Sequence, residues 1–148
     1  IYTHSHGDHF GGALGVVTEA QAKTIPILAP EGFLEHAVAE NIIAGNAMGR
    51  RALYQFGSML PFGPEGKVSS GIGPALSSGT TALLPPNDLI RRTGETRRID
   101  GVDFTFQLTP NTEAPAEMNF HLPQFRICRQ VPHDDDPIHV RHPSLLFR

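Results

Sequence analysis

The residues best suited to chemistry lie together near the start of the chain. His4, His6, Asp8 and His9 form the pattern His-x-His-x-Asp-His. Imidazole nitrogens and carboxylate oxygens are the ligands of zinc and similar cations. Because side chains alternate along extended backbone, His4 and His6 should point the same way, whereas Asp8 and His9 follow on a turn. The spacing predicts two ligands for one metal ion and two for a neighbouring ion.

Apolar segments on both sides of this cluster predict how it is held. Residues 1–3 (Ile-Tyr-Thr) resemble the end of a buried strand, and a helix is predicted from Phe10 to Ala22. Gly11, Gly12 and Gly15 in that helix would allow close packing near the site. The cluster is therefore predicted to lie between a strand and a helix.

The next elements follow from periodicity. The run from Ile25 to Ala29 predicts a short strand, and Pro30-Glu31 predicts the start of a long helix. Apolar residues continue that helix to Ile43, with a break near Gly45 and a second part over 47–56. Arg50 and Arg51 lie in the second part. They are either a solvated helix face or a contact for an anionic substrate or subunit.

The second half of the chain predicts a long loop followed by strands. Gly57 to Pro86 is rich in Gly, Pro and Ser, which is typical of a surface or functional loop. Asp100-Gly101 predicts a hairpin within Arg97 to Leu108, where apolar and polar residues alternate. Met118 to His121 and Phe125 to Cys128 predict two more short strands.

Composition limits the classes of function. The 148 residues carry a formal net charge of −3, so nothing favours binding to nucleic acid. No apolar run reaches the roughly 20 residues of a membrane-spanning helix. One cysteine, Cys128, excludes an internal disulfide framework. Since the chain starts at Ile1 without the strands that would support the site, we expect it to be a fragment.

Several longer motifs resemble one family. His-x-His-x-Asp-His after an apolar strand is the signature of the metallo-β-lactamase superfamily. Within it, residues 29–38 (APEGFLEHAV), 43–48 (IAGNAM), 99–102 (IDGV) and above all 112–120 (TEAPAEMNF) resemble the linear alkylsulfatases, which hydrolyse dodecyl sulfate. The resemblance runs in the same order from Ile1 to about Arg126. It implies a partial αββα sandwich, an α/β (α+β) fold.

The resemblance also implies an activity and a set of ligands. The family hydrolyses alkyl sulfate esters to an alcohol and sulfate with two zinc ions, and its members form homodimers. Carried over to this chain, His4 and His6 bind one ion, Asp8 and His9 bind the other, and Glu113 joins them as a further ligand. Glu117 is the competing carboxylate. The same carry-over makes Asp8 the predicted catalytic residue.

The family pattern ends after Arg126. We therefore predict a partial catalytic domain over residues 1–126 and a divergent, irregular tail over 127–148. Counted from Glu113, the family's metal-bridging glutamate falls on Pro132, and the family's last histidine is also missing from its place, so the second zinc site is expected to be incomplete. The family's dimerisation domain is expected to be absent as well. The tail is a reading-frame artefact, a variant end with its own ligands, or a solvated segment. Its candidate ligands are His133, His139, His142 and residues 134–136 (three Asp).

Three functions remain open at this stage. The first is zinc-dependent alkyl sulfate hydrolysis, with the chain either active or inactive as a fragment. The second is another hydrolase of the metallo-β-lactamase fold, which residues 113–117 (EAPAE) argue against. The third is a metal-binding chain without catalytic activity.

Overall fold

Helices and two small sheets make up the structure, a computed structural model that describes residues 1–70, 73 and 79–129. The helical elements are α1 (Gly7–Phe10), a 3₁₀ turn (Ala13–Gly15), α2 (Glu19–Ala22), α3 (Phe33–Val38), a π-helix (Ala39–Ile43), α4 (Gly45–Phe56) and a second 3₁₀ turn (Pro123–Phe125). The strands are β1 (Leu28–Pro30), β2 (Asp88–Ile90), β3 (Thr96–Ile99), β4 (Val102–Leu108), β5 (Met118–Leu122) and β6 (Ile127–Arg129).

The larger sheet is antiparallel, in the order β3-β4-β5-β6. Its first hairpin turns at Asp100-Gly101, where φ is 49° and 80°, so both residues have the left-handed backbone of a type I′ turn. Ile99 pairs with Val102, as the alternating pattern predicts. The predicted hairpin is confirmed.

The smaller sheet is a parallel pair of β1 and β2. Leu28 pairs with Asp88 and Pro30 with Ile90. The sequence analysis did not predict β2, because three residues directly after a loop rich in Gly and Pro give no readable alternation. The strand predicted from Ile25 to Ala29 begins later, at Leu28, and includes Pro30.

The helix predicted from Phe10 to Ala22 is wrong. The structure has the end of α1, a 3₁₀ turn and a separate α2 there. Thr18 starts α2 with a capping box, in which its hydroxyl accepts from the Gln21 backbone and the Gln21 side chain accepts from the Thr18 backbone. Since this cap belongs only to the first turn of a helix, it separates α2 from what precedes it.

Two other boundaries differ from their predictions. The long helix is α-helical only to Val38, continues as a π-helix to Ile43, and resumes at Gly45. The last strand begins at Ile127 because Pro123–Phe125 form a 3₁₀ turn that ends at Arg126, in left-handed conformation (φ 56°).

Residues 1–4 connect the two sheets through backbone hydrogen bonds. The Tyr2 amide donates to the Leu28 carbonyl of β1 at 2.8 Å, and the Met118 amide of β5 donates to the Thr3 carbonyl at 2.8 Å. The backbone of His4 then forms an isolated antiparallel β-bridge with that of Glu117. The start of the His-x-His-x-Asp-His segment is thus held by backbone hydrogen bonds to both sheets.

An aromatic cluster of Tyr2, Phe10 and Phe33 packs against both ends of the His-x-His-x-Asp-His segment. The Tyr2 ring stacks on Phe33 of α3, with centroids 4.8 Å apart, and Phe10 meets the same ring edge-on at 5.6 Å. Tyr2 precedes the motif, Phe10 follows it, and all three side chains are buried. The Tyr2 hydroxyl also donates to the Leu84 carbonyl at 3.2 Å. Both ends of the loop are therefore fixed to one ring.

A second apolar cluster, of Leu28, Ile90, Phe106 and Met118, lies between the sheets. At their margin, Arg97 of β3 donates to both carboxylate oxygens of Asp88 on β2, each at 3.2 Å. Two parallel N–H···O bonds of this kind specify geometry as well as adding energy. This pair fixes the position of one sheet against the other.

Some predictions fall outside the described residues. These are the tail from 130 onward, with Pro132, its histidines and its aspartates, and part of the predicted loop at 71–72 and 74–78. Within the described residues, no helix has the length and apolar character needed to cross a bilayer.

Phe33→Ala should destabilise the fold by about 3 to 5 kcal/mol, because it removes the buried ring on which Tyr2 and Phe10 pack. The neighbouring Leu34 is 42 % exposed, so Leu34→Ala should cost well under half of that. Urea unfolding of both variants measures the difference. Equal losses of unfolding free energy would contradict the anchoring role of Phe33.

Candidate metal centre

His4 lies at the back of the site and is fully buried. Its Nδ1 lies 3.1 Å from the Thr3 hydroxyl, whereas its Nε2 has no hydrogen-bond partner among the described residues. Burial, followed by the charges of His9 and His6, lowers the pKa of His4 to about 4, while Glu117 and Asp8 act in the opposite direction. The imidazole is therefore neutral at pH 7, and the tautomer with its proton on Nδ1 would leave the Nε2 lone pair available to a metal ion.

His6 stands directly before α1 in extended backbone (φ −74°, ψ 141°). Its ring centroid lies 4.8 Å from that of His4, so the period-two spacing does bring the two imidazoles together. Its Nδ1 lies 3.6 Å from the Glu113 carboxylate, and its Nε2 lies 3.7 Å from the Glu40 carboxylate. Each ring nitrogen of His6 therefore faces a different carboxylate.

Glu113 completes a group of three. Its Oε1 lies 3.7 Å from His4 Nε2 and 3.6 Å from His6 Nδ1. One ligand atom from each residue lies within 4.8 Å of the others. Two imidazole nitrogens and one carboxylate oxygen are a common donor set for zinc. An ion placed between these atoms would give the orphaned Nε2 of His4 its partner.

Glu117 shapes the turn that presents Glu113. It is buried, and its Oε2 accepts from the backbone amides of Glu113 and Ala114 at 2.7 and 3.0 Å. The Thr112 hydroxyl lies 2.6 Å from the same oxygen. Three polar contacts on one carboxylate oxygen hold residues 112–114 in place. Within the described residues, Glu117 lies outside the group of three potential ligands.

Asp8 and His9 form a separate pair. The Asp8 side chain is 81 % exposed, and its Oδ2 lies 3.4 Å from His9 Nε2. The His9 ring centroid lies 4.0 Å from that of His4, so the pair adjoins the first group. In the described parts of the chain, these two residues belong to no group of three potential ligands. The second metal site and the catalytic role of Asp8 remain predictions.

Two glycines allow close backbone approach around the motif. A β-carbon on Gly7 would lie 2.6 Å from the Asn41 side chain, and one on Gly11 would lie 2.6 Å from the Gly7 carbonyl. The Gly11 carbonyl accepts from the Ala82 amide at 2.9 Å. The expectation of close packing thus holds for Gly11, whereas Gly12 and Gly15 have open space around them.

A cavity of about 1090 Å³ opens from these side chains. His6, Asp8, His9 and Glu113 line one part of it. One stripe of α4 lines another part, through Gly45, Met48, Gly49, Ala52 and Phe56. This spacing of three and four places those residues on one helix face. Arg51 also lines the cavity.

The sequence analysis missed Glu40 and Asn41. Both lie in the π-helix beside the motif, and both approach it, Glu40 at His6 and Asn41 at Gly7. A π-helix differs from an α-helix by one residue per turn and leaves no distinct periodic signal over five residues. No pattern in the sequence would have identified them.

Replacing Glu113 and Glu117 one at a time should distinguish the predicted metal ligand from the residue that holds the turn in place. Glu113→Gln should weaken zinc binding tenfold or more, because it removes a charged ligand oxygen. Glu117→Gln should instead destabilise the metal-free chain by about 1 to 3 kcal/mol, because a charged acceptor of backbone amides is lost. Competition with a chromophoric chelator gives zinc affinity, and thermal unfolding gives stability.

The matched control for both variants is Glu19→Gln, an exposed residue of α2. It should leave zinc affinity and stability unchanged. Wild-type zinc affinity in Glu113→Gln would remove Glu113 from the site.

Comparisons with known proteins agree on one class of enzyme. The chain is 47% identical over 150 residues to the linear primary-alkylsulfatase of a Pseudomonas species and 51% identical over 150 residues to the alkyl/aryl-sulfatase BDS1 of Saccharomyces cerevisiae. It is 45% identical over 142 residues to an (R)-specific secondary-alkylsulfatase of Pseudomonas. The first two alignments cover the whole chain, so they extend beyond the expected limit at Arg126. No family model matches.

The chain spans about a fifth of the length of these relatives, 22%, 23% and 21% respectively. A solved structure agrees with them. The stereoselective inverting sec-alkylsulfatase Pisa1 from Pseudomonas superimposes with a TM-score of 0.79, at 48% identity, over 86% of this chain and 20% of that one. This match confirms the predicted α+β class and its metallo-β-lactamase fold. In sequence and in fold, the chain is therefore similar to about a fifth of an alkylsulfatase.

Proposed function

We propose that this chain forms the metal-binding part of a zinc-dependent alkylsulfatase that hydrolyses linear alkyl sulfate esters, such as dodecyl sulfate, to an alcohol and sulfate. The observation that carries the proposal is the convergence of His4, His6 and Glu113 on one point. It occurs in a chain whose three curated relatives, at 45–51% identity, are all named as sulfatases of alkyl esters.

The donor set supports zinc as the metal. His4 and His6 offer one nitrogen each, Glu113 offers an oxygen, and His4 Nε2 is buried without a hydrogen bond. Asp8 and His9 would hold a second ion with residues beyond those described. When bound, zinc acts as a Lewis acid that lowers the pKa of a coordinated water and offsets negative charge on the ester. His6, Asp8, His9 and Glu113 line the cavity, so ions held by them would be open to a substrate there.

The size and lining of the cavity favour an ester with a long alkyl chain over a compact substrate. Its volume, about 1090 Å³, is at the upper end of ordinary ligand sites, which is enough for a long chain beside the metal residues. The α4 stripe of Met48, Ala52 and Phe56 supplies an apolar wall. We expected this wall from the Phe33–Ile43 helix or the loop after Gly57, and both line the same cavity, through Ala37 and Ile42 and through Ala82 and Leu83. Arg51 brings a positive charge to the same cavity.

Two alternatives predict different measurements. Another hydrolase of the same fold would bind zinc and leave alkyl sulfates intact while cleaving a thioester, lactam or phosphoester. A metal-binding chain without catalysis would bind zinc and cleave none of them. Since the relatives that match the whole chain are named for sulfate esters, alkyl sulfate hydrolysis is the first activity to test.

The bond that breaks is proposed to be C–O. The solved relative is described as inverting, and inversion at carbon requires attack on carbon with sulfate as the leaving group. In that case the oxygen of water enters the alcohol, and all four oxygens of the released sulfate come from the ester.

The purified chain should release sulfate from dodecyl sulfate, lose that activity on chelation and regain it with zinc. In ¹⁸O-labelled water the label should appear in dodecanol. His6→Ala should abolish activity and metal retention, whereas His36→Ala, on α3 outside the three-residue group, should keep both. Label in sulfate would overturn the C–O assignment, and bound zinc without sulfate release would overturn the proposed activity of this chain.

Narrowing the cavity should change preference for chain length. Ala52→Phe places a ring in the apolar wall, whereas Leu53→Phe changes the next residue of α4, which does not line the cavity. Each excluded methylene costs about 0.8 kcal/mol, so losing two should lower kcat/KM for dodecyl sulfate roughly fifteenfold. The loss for hexyl sulfate should be smaller. An equal loss for both substrates would contradict an alkyl site along α4.

A further inference from the structure

Glu40 lies beside the metal residues without belonging to their group. Its Oε2 is 3.7 Å from His6 Nε2, on the opposite side of the imidazole from Glu113. The two side chains are 21 % and 27 % exposed, so the contact is largely shielded from water. A histidine that binds a metal through one ring nitrogen commonly donates its other N–H to a carboxylate, which fixes the ring and its tautomer.

The local backbone brings Glu40 to this position. Residues 39–43 form a π-helix, closed by the Ala44 amide donating to the Ala39 carbonyl at 2.9 Å. Asn41 donates from its side chain to the Ala37 carbonyl at 2.9 Å, and its oxygen occupies the space that a side chain on Gly7 would need. The π-helix is thus seated against the loop that carries His6. Such turns are frequent at functional sites.

We propose that Glu40 is a positioning residue for His6: its carboxylate accepts the Nε2–H of that imidazole and so directs Nδ1 at the zinc ion. The present separation must shorten by about 1 Å to form this hydrogen bond, as is common when a site is loaded. The inference rests on the proposed zinc centre and adds a residue to it. Glu40 lies outside the three-residue group and also lines the cavity, and in the proposed role it acts through His6.

Zinc affinity tests this role without any substrate. Glu40→Ala should weaken zinc binding about tenfold to a hundredfold, as loss of an outer carboxylate generally does. Glu40→Gln keeps an acceptor oxygen and should recover most of the loss. Glu35→Ala and Glu35→Gln remove an exposed carboxylate from the same helical segment and should have no effect. If the effect were only the lost charge, the Gln and Ala variants of Glu40 would bind zinc equally weakly.

A spectroscopic signature separates positioning from general damage to the fold. In the zinc-loaded wild type, His6 should show a slowly exchanging Nε2–H in ¹H–¹⁵N spectra. Glu40→Ala should accelerate its exchange with water, whereas Glu40→Gln should not. If Glu40→Ala fails to fold, Glu40→Gln still tests the role, because loss of the protected Nε2–H in that variant would contradict it.

The outcomes also distinguish this inference from the proposed function. Wild-type chain that binds no zinc would refute the zinc centre itself. Zinc binding by wild type, with unchanged affinity and unchanged Nε2–H exchange in Glu40→Ala, would refute the role of Glu40 alone. Weakened affinity without sulfate release in any variant would support the role of Glu40 and refute only the proposed activity.

Discussion

The packing of Tyr2 and Phe10 on the Phe33 ring is the constraint on which the site depends. The loop between these two aromatic residues carries four polar ligand-type side chains, and its α-helix is four residues long. Such a segment has little structure of its own. Because both ends rest on one buried ring, the histidines between them have few positions open to them. The geometry of the candidate site thus depends on an apolar contact next to it.

The site draws on widely separated parts of the chain. His4 and His6 come from the start, whereas Glu113 comes from a turn that follows β4 more than a hundred residues later. The pairing of Thr3 with Met118 brings these parts together, and Glu117 fixes the turn. The antiparallel sheet is therefore joined to the site at two places, the turn after β4 and the pairing of β5 with Thr3.

The elements predicted well from sequence are those with local signals. Asp100-Gly101 identifies its hairpin, and the spacing of His4 and His6 anticipates their proximity. The elements that were missed or wrongly predicted lack such a signal. β2 is a strand because β1 lies beside it. The helix expected after Phe10 is divided by the Thr18 cap. Glu40 could not be foreseen, since one extra residue in a helical turn decides its direction. The preference for Glu113 over Glu117 as a ligand came from the family resemblance. Glu113 lies in the group of three potential ligands and Glu117 does not, and metal binding by Glu113 stays a prediction.

The backbone pairing of residues 1–4 with both sheets brings the start of the chain next to the turn that carries Glu113. If His6 and Glu113 share a metal ion as proposed, that ion would close a loop of more than a hundred residues, as a disulfide would. Such a clip removes chain entropy from the unfolded ensemble and, unlike a covalent bond, its strength follows the free metal concentration. The metal supply would then set how long the folded chain persists, quite apart from any reaction that it supports.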